Sequence, residues 1–152
     1  MSILNFTTKV PVARTVAEIE AKLAKAKAEA ILKEYEPDGT VSALSFRIGT
    51  EFGILTFRLP ANIQRVYQVV VRDRRIPRSQ RTREQASRIA WSIVKDWTEA
   101  QLAMIEAGLV VLTQVFLPYV QAPGGQTLYE LMREQKFQPL LPAANHSKGE
   151  AG

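Results

Sequence analysis

The chain has no cysteine, and His146 is the only histidine among its 152 residues. Without thiols there is no disulfide, no thiolate zinc site and no cysteine nucleophile. One histidine, placed in a polar tail, leaves serine–histidine–acid catalysis and histidine metal clusters without their parts. Absent cysteine also fits a reducing compartment, so a cytoplasmic protein is expected. Long apolar runs are missing as well. Residues 108–112 fall far short of the roughly 20 needed to cross a bilayer, and no membrane partner is expected. The opening M-S-I-L-N-F-T-T-K-V lacks a basic leader and does not read as a secretory signal.

Catalytic motifs are equally sparse. Glu34, Glu36 and Asp38 lie close in sequence, and Glu34 with Glu36 shares a strand face, a geometry that could hold a divalent ion. A nuclease of the Pro-Asp then Asp/Glu-x-Lys type needs its second motif on the next strand. That strand reads L-S-F-R-I, with no acid and no lysine. Gly124-Gly125 precedes no lysine and makes no P-loop. The expectation is therefore a non-enzyme with no catalytic residue, no metal site and no cofactor.

Arginine is what the chain has in quantity. Residues 72–83 read R-D-R-R-I-P-R-S-Q-R-T-R, six arginines in twelve residues against one acid, Asp73. Such a segment is expected to stay out of the core as an exposed linker. Each guanidinium offers a planar fork of donors to an anionic oxygen pair and can stack on a base. Arg72, Arg74, Arg75, Arg78, Arg81 and Arg83 are thus the candidate nucleic-acid contacts. The plain alternative is a solvated loop, some of its arginines paired with acids such as Asp73 and Glu84. The net charge of +5 points the same way as the cluster but more weakly.

Apolar residues make up 46% of the chain, enough for a real core. One domain is expected over 1–137, and a small, polar, proline-punctuated tail over 138–152 is expected to be disordered. Residues 1–14 read as extended. Thr15-Val16-Ala17-Glu18 reads as a capping box opening a helix to about Lys27, with Ile19, Leu23 and Ala26 on one stripe. Three strands follow, over 30–36, 41–48 and 54–59, with Pro37-Asp38-Gly39-Thr40 as a turn. Leu44, Phe46 and Ile48 alternate with Ser45 and Arg47; Leu55, Phe57 and Leu59 alternate with Thr56 and Arg58. Arg47 and Arg58 then face outward as secondary contacts. Lys33 and Tyr35 could join them, although Ile31 lies on their side of the strand.

Residues 61–71 carry Ile63, Val66, Tyr67 and Val70 at helical spacing. A second capping box, Thr82-Arg83-Glu84-Gln85, opens a long helix that Gly108 stops. Ala86, Ile89, Ala90, Ile93, Val94, Trp97, Ala100 and Met104 form its apolar stripe. Trp91 lies off that stripe, where a second contact is expected, with another subunit as one option. Residues 109–120 read as a strand or as a short helix interrupted by Pro118. Thr127-Leu128-Tyr129-Glu130 starts a last helix. The fold class is α+β: a helix, a three-stranded antiparallel meander, then helices on one sheet face.

This order is similar to that of two nucleic-acid-binding families. Double-stranded RNA-binding domains share it, but their lysine-rich cluster opens the second helix, where this chain has P-A-N-I-Q. Over residues 15–107 the chain also resembles the core of phage single-strand annealing proteins in element order and basic character. The segment W-S-I-V-K-D-W-T-E-A-Q-L-A-M-I-E-A-G, with the later F-L-P-Y and T-L-Y-E, looks like small phage and prophage proteins of unassigned function. The annealing-protein likeness implies single-stranded DNA as partner, a homo-oligomer and a role in annealing or recombination. The long helix and residues 109–120 are the expected subunit contacts. The other class of function is a phage structural or regulatory protein that presents the same arginines to an acidic protein.

Overall fold

The alternation along 41–59 closes into a hairpin, and the preceding strand adds to it. In the computed structural model, which describes residues 3–143, β1 (Ala30–Tyr35), β2 (Val41–Thr50) and β3 (Gly53–Arg58) form an antiparallel sheet in that order. Phe46 stands opposite Phe57 on one side and Ile31 on the other, and Ile48 stands opposite Leu55. Because faces alternate, Ile31, Lys33, Leu44, Phe46, Ile48, Leu55 and Phe57 share one face. The opposite face carries Leu32, Glu34, Ala43, Ser45, Arg47, Thr56 and Arg58. The fold is α+β, with the helices on the first face.

Helix α1 (Val12–Lys25) lays Val16, Ile19 and Leu23 on that face, in one core with Leu44, Phe46 and Phe57. It starts three residues before the expected capping box. Pro11, with φ of −59°, opens it, and the Thr15 hydroxyl donates back to the Pro11 carbonyl from inside the first turn. Glu18 does not return to Thr15; it pairs with Arg14 and with Lys95. The expected box is a local pattern that an earlier helix start overrides.

Helix α3 (Arg83–Glu106) is the central element. Thr82 caps it by accepting from the Gln85 amide at 3.1 Å. Gln85 does not complete the box. Its side chain donates to the Phe6 and Thr8 carbonyls at 3.1 and 2.9 Å and ties down the N-terminal segment. At the other end Gly108 has φ of +77°; its amide reaches Ile105 O and the Leu109 amide reaches Met104 O. That is a Schellman stop, and only glycine takes the conformation without strain.

Two stripes of α3 are buried. Ala86, Ile89 and Ile93 pack towards α2 (Ile63–Arg72). A second stripe, Ser87, Trp91, Val94 and Thr98, is also buried, with Trp91 and Val94 in the core they share with the sheet and α1. Trp91 is therefore not a subunit contact. It is 0% exposed and its indole donates to the Val41 carbonyl at 3.0 Å. Trp97 is half-buried, edge-on to Phe116 and Tyr119 at 5.3 and 5.5 Å.

Residues 109–120 resolve into the helical option. Helix α4 (Leu112–Phe116) runs into a single 3-10 turn at Leu117–Tyr119, and Val120 then bridges to Phe57 at the β3 edge. Thr127 caps α5 (Leu128–Glu134) through the Glu130 amide at 3.2 Å. Of the expected tail, Gln138–Leu140 form one 3-10 turn, and 144–152 lie outside the described residues. No helix among the described residues is long and apolar enough to cross a membrane.

Ion pairs close the seam between α1 and α3. Lys95 Nζ lies 2.6 Å from Glu18 and 3.8 Å from Glu99. The Lys95 hydrogen bond holds the Glu18 carboxyl below its ordinary range, and the Glu18 bond raises Lys95. A depressed folded pKa means that Glu18's contribution is complete above the unfolded carboxylate pKa, about 4.3. It is lost as pH falls through the folded value. Glu18→Gln should therefore flatten the acid limb of stability against pH, read as urea midpoints between neutral and acid pH. An acid limb as steep as that of the unmodified chain would show that this pair is not what acid breaks.

Candidate nucleic-acid interface

The arginine segment is fixed from both ends. Asn62 caps α2 by accepting from the Arg65 amide at 3.2 Å, and the helix runs to Arg72. Asp73 ends it, and its carboxylate accepts from the Arg75 amide at 2.9 Å, an Asx turn. Pro77 leads into a 3-10 turn at Arg78–Gln80, and Thr82 starts α3. Between these points Ile76 is 0% exposed and packs with Val70, Ala86 and Ile89. The expectation that this segment contributes nothing to the core is thus corrected. One branched side chain fills the corner between α2 and α3 and anchors the loop around it.

The arginines divide into two groups. Arg83 reaches Glu36 at 3.0 Å and also bonds Gln64, tying the start of α3 to the end of β1 and the start of α2. Arg81 Nε donates to the Ile76 carbonyl at 2.9 Å and is half-buried. Both hold the loop. Arg72, Arg74, Arg75 and Arg78 are exposed and form no ion pair among the described residues. Neither acid expected to pair with them does so: Glu84 pairs with Arg88, and one Asp73 carboxylate oxygen accepts from the Arg75 amide.

Arg65 joins the second group. It is two turns before Arg72 on the same side of α2. With Arg72, Arg74 and Arg75 it lines an open groove of about 650 Å³ to which Val66 and Val69 give apolar surface. Arg78 lies outside that lining. Sequence reasoning missed Arg65 because it precedes the dense run; its spacing of seven from Arg72 was the available sign.

The sheet contributes less than expected. Arg47 and Arg58 share the outer face, but Arg58 is paired with Glu34 across the sheet. Arg47 stands opposite Ala30, at the start of β1. Glu36, where Arg83 docks, is six residues further along, roughly 20 Å at strand rise. Lys33 and Tyr35 do not join these arginines. They lie on the helix-packed face, settled by Ile31, and Lys33 Nζ sits 2.9 Å from Glu20, which raises the lysine pKa. The Glu34–Glu36 pair, whose shared strand face could have held a divalent ion, is broken up in the same way, each acid holding a different arginine. No group of three His, Asp or Glu side chains among the described residues could hold a metal ion. The apolar side of α3, expected as a subunit contact, is largely internal to the chain.

No known protein family, curated protein or solved structure matches this chain.

Ile76→Ala should cost about 2–5 kcal/mol in urea unfolding. It should also speed tryptic cutting within residues 72–83, followed by mass spectrometry. Unchanged cutting would show that Ile76 does not hold the loop.

Proposed function

We propose that this chain is a non-enzymatic nucleic-acid-binding protein that takes single-stranded DNA along the groove of Arg65, Arg72, Arg74 and Arg75, in the service of annealing or recombination. One observation carries the reading: four arginines line one groove against a single acid, Asp73, so the lining keeps a net positive charge. Such a site has charge left over for phosphate oxygens and the fork geometry to meet them. The apolar surface of Val66 and Val69 gives base or sugar faces something to lie on. Arg78 and Arg47 are outlying contacts. Arg81, Arg83 and Arg58 serve by holding the loop and the sheet edge.

Annealing needs two strands held together, so self-association belongs to the proposal. Leu109 and Val111 remain exposed, and Val111 shares a shallow cleft with the β2–β3 turn, which also exposes Phe52. That apolar end is separated from the arginines by the 24 residues of α3, roughly 36 Å. Pairing there would leave the grooves free, and avidity would multiply a modest contact. The second reading is an acidic protein partner. Exposed Val69 and Val71 beside the arginines favour it, since a mixed apolar and cationic surface also suits a protein.

Anisotropy titrations of labelled single strand, duplex and RNA at graded salt separate the two. Four neutralised phosphates give a log–log salt slope of roughly −3 on a single strand. Arg74→Ala with Arg75→Ala should make the slope shallower by about 1.4 without unfolding the chain. Absence of binding at low salt would leave the acidic partner as the better reading.

A further inference from the structure

A second cleft lies at the other end of α2. It has a volume of about 500 Å³ and is bordered by Arg58, Pro60, Asn62, Tyr119, Tyr129 and Glu130. Long-range contacts build it. Val120 bridges Phe57, which sets the Pro118–Tyr119 turn against the end of β3. The Leu128 amide then donates to the Val120 carbonyl at 2.8 Å and brings the first turn of α5 alongside. Both tyrosines are backed by another ring: Tyr119 by Trp97 at 5.5 Å, Tyr129 by Phe137 at 5.9 Å. They are held in place before anything binds, and Tyr129 is still 50% exposed.

The cleft and the arginine groove lie on one path. Asn62, Arg65, Val69 and Arg72 follow at steps of three, four and three, which places them along one side of α2. Asn62 borders the cleft; the other three border the groove. The helix between has ten residues, about 15 Å. A chain of phosphates running over Arg65 and Arg72 would therefore deliver its next nucleotide to the tyrosines. The polar groups there suit a base edge. Glu130 accepts from the Thr127 hydroxyl at 3.2 Å through one oxygen, leaving the other for an exocyclic amine. The Asn62 amide nitrogen and the Arg58 guanidinium supply donors.

We infer that this cleft is a pocket for one unstacked nucleobase at the end of the strand path. The inference rests on the reading that the groove binds a nucleic-acid strand, and it adds a reason for choosing single strands. A duplex keeps its bases paired inward and can offer only phosphates to the groove. A single strand can turn a base out onto a tyrosine ring, a contact that tolerates any base because every base has a π-face.

Two labelled probes of equal length and charge test it: an oligothymidine and a fully abasic deoxyribose-phosphate strand. The chain should bind the oligothymidine roughly 5- to 150-fold tighter than the abasic strand, as expected for one stacked base. Tyr129→Ala should remove most of that preference by weakening the oligothymidine and not the abasic strand, and Tyr129→Phe, which keeps the ring, should restore it. Circular dichroism melts check that the alanine variant is folded. Equal affinity of the unmodified chain for both probes overturns the pocket while leaving the groove standing, and so does a preference that Tyr129→Ala leaves unchanged. No binding of either probe at low salt overturns both.

Discussion

Helix α3 is buried along two sides, and the placement of α1, α2 and the arginine loop follows from that. On one side Trp91 sits in the core with the sheet and α1, its donor satisfied by the Val41 carbonyl. On the other, Ala86 and Ile89 close against Val70 and Ile76. A buried indole without its partner would leave a donor and a strand carbonyl unsatisfied, at about 1–3 kcal/mol for each group. The helix therefore has one position against the sheet. Its first turn then fixes the far end of the arginine loop, and α2, packed on its second side, fixes the near end. With Ile76 inserted midway, the backbone carrying Arg72, Arg74 and Arg75 is ordered before any ligand arrives. Binding as proposed would then cost chiefly side-chain freedom, not the larger cost of ordering a loop.

The electrostatics follow from where the acids fall. Glu34 and Glu36, at the end of β1, take Arg58 and Arg83; Glu84 takes Arg88. Those pairs are partly exposed, so each adds little to stability and its value lies in alignment. What remains is a group of like charges around the C-terminal turn of α2. The negative end of the helix offsets part of their repulsion at Arg72, and Asp73 offsets a little more. On the proposed function a polyanion would relieve the rest, so that ligand and folded state would support each other at the groove.

Much of this was legible in the sequence where the signal was local. Strict alternation gave the hairpin, Gly108 the end of α3, and Thr82 and Thr127 their caps. Trp91 was hidden because its stripe includes Ser87 and Thr98, polar residues that an apolar count passes over. Thr15 and Glu18 match a capping box, but Pro11 had already opened the helix. Lys33 and Tyr35 could be assigned only once Ile31 was seen facing Phe46. The arginines were readable as a group but not as individuals. Arg83 finds Glu36 across 47 residues and Arg58 finds Glu34 across 24, distances at which no local pattern speaks. The tyrosine cleft exists only because residue 120 returns to the edge of β3, another contact made by the fold.

Amide hydrogen exchange with and without a single-stranded oligonucleotide tests the anchored groove most directly. At low salt, slowed exchange is expected in peptides spanning α2 and the following loop through Ser79, and it should fade as salt is raised. In the free chain the Ile76 amide, bonded to the Asp73 carbonyl at 3.2 Å, should already be slow compared with an open loop. Fast exchange at Ile76 in the free chain, or protection that falls on the outer sheet face and leaves α2 unchanged, would contradict the account.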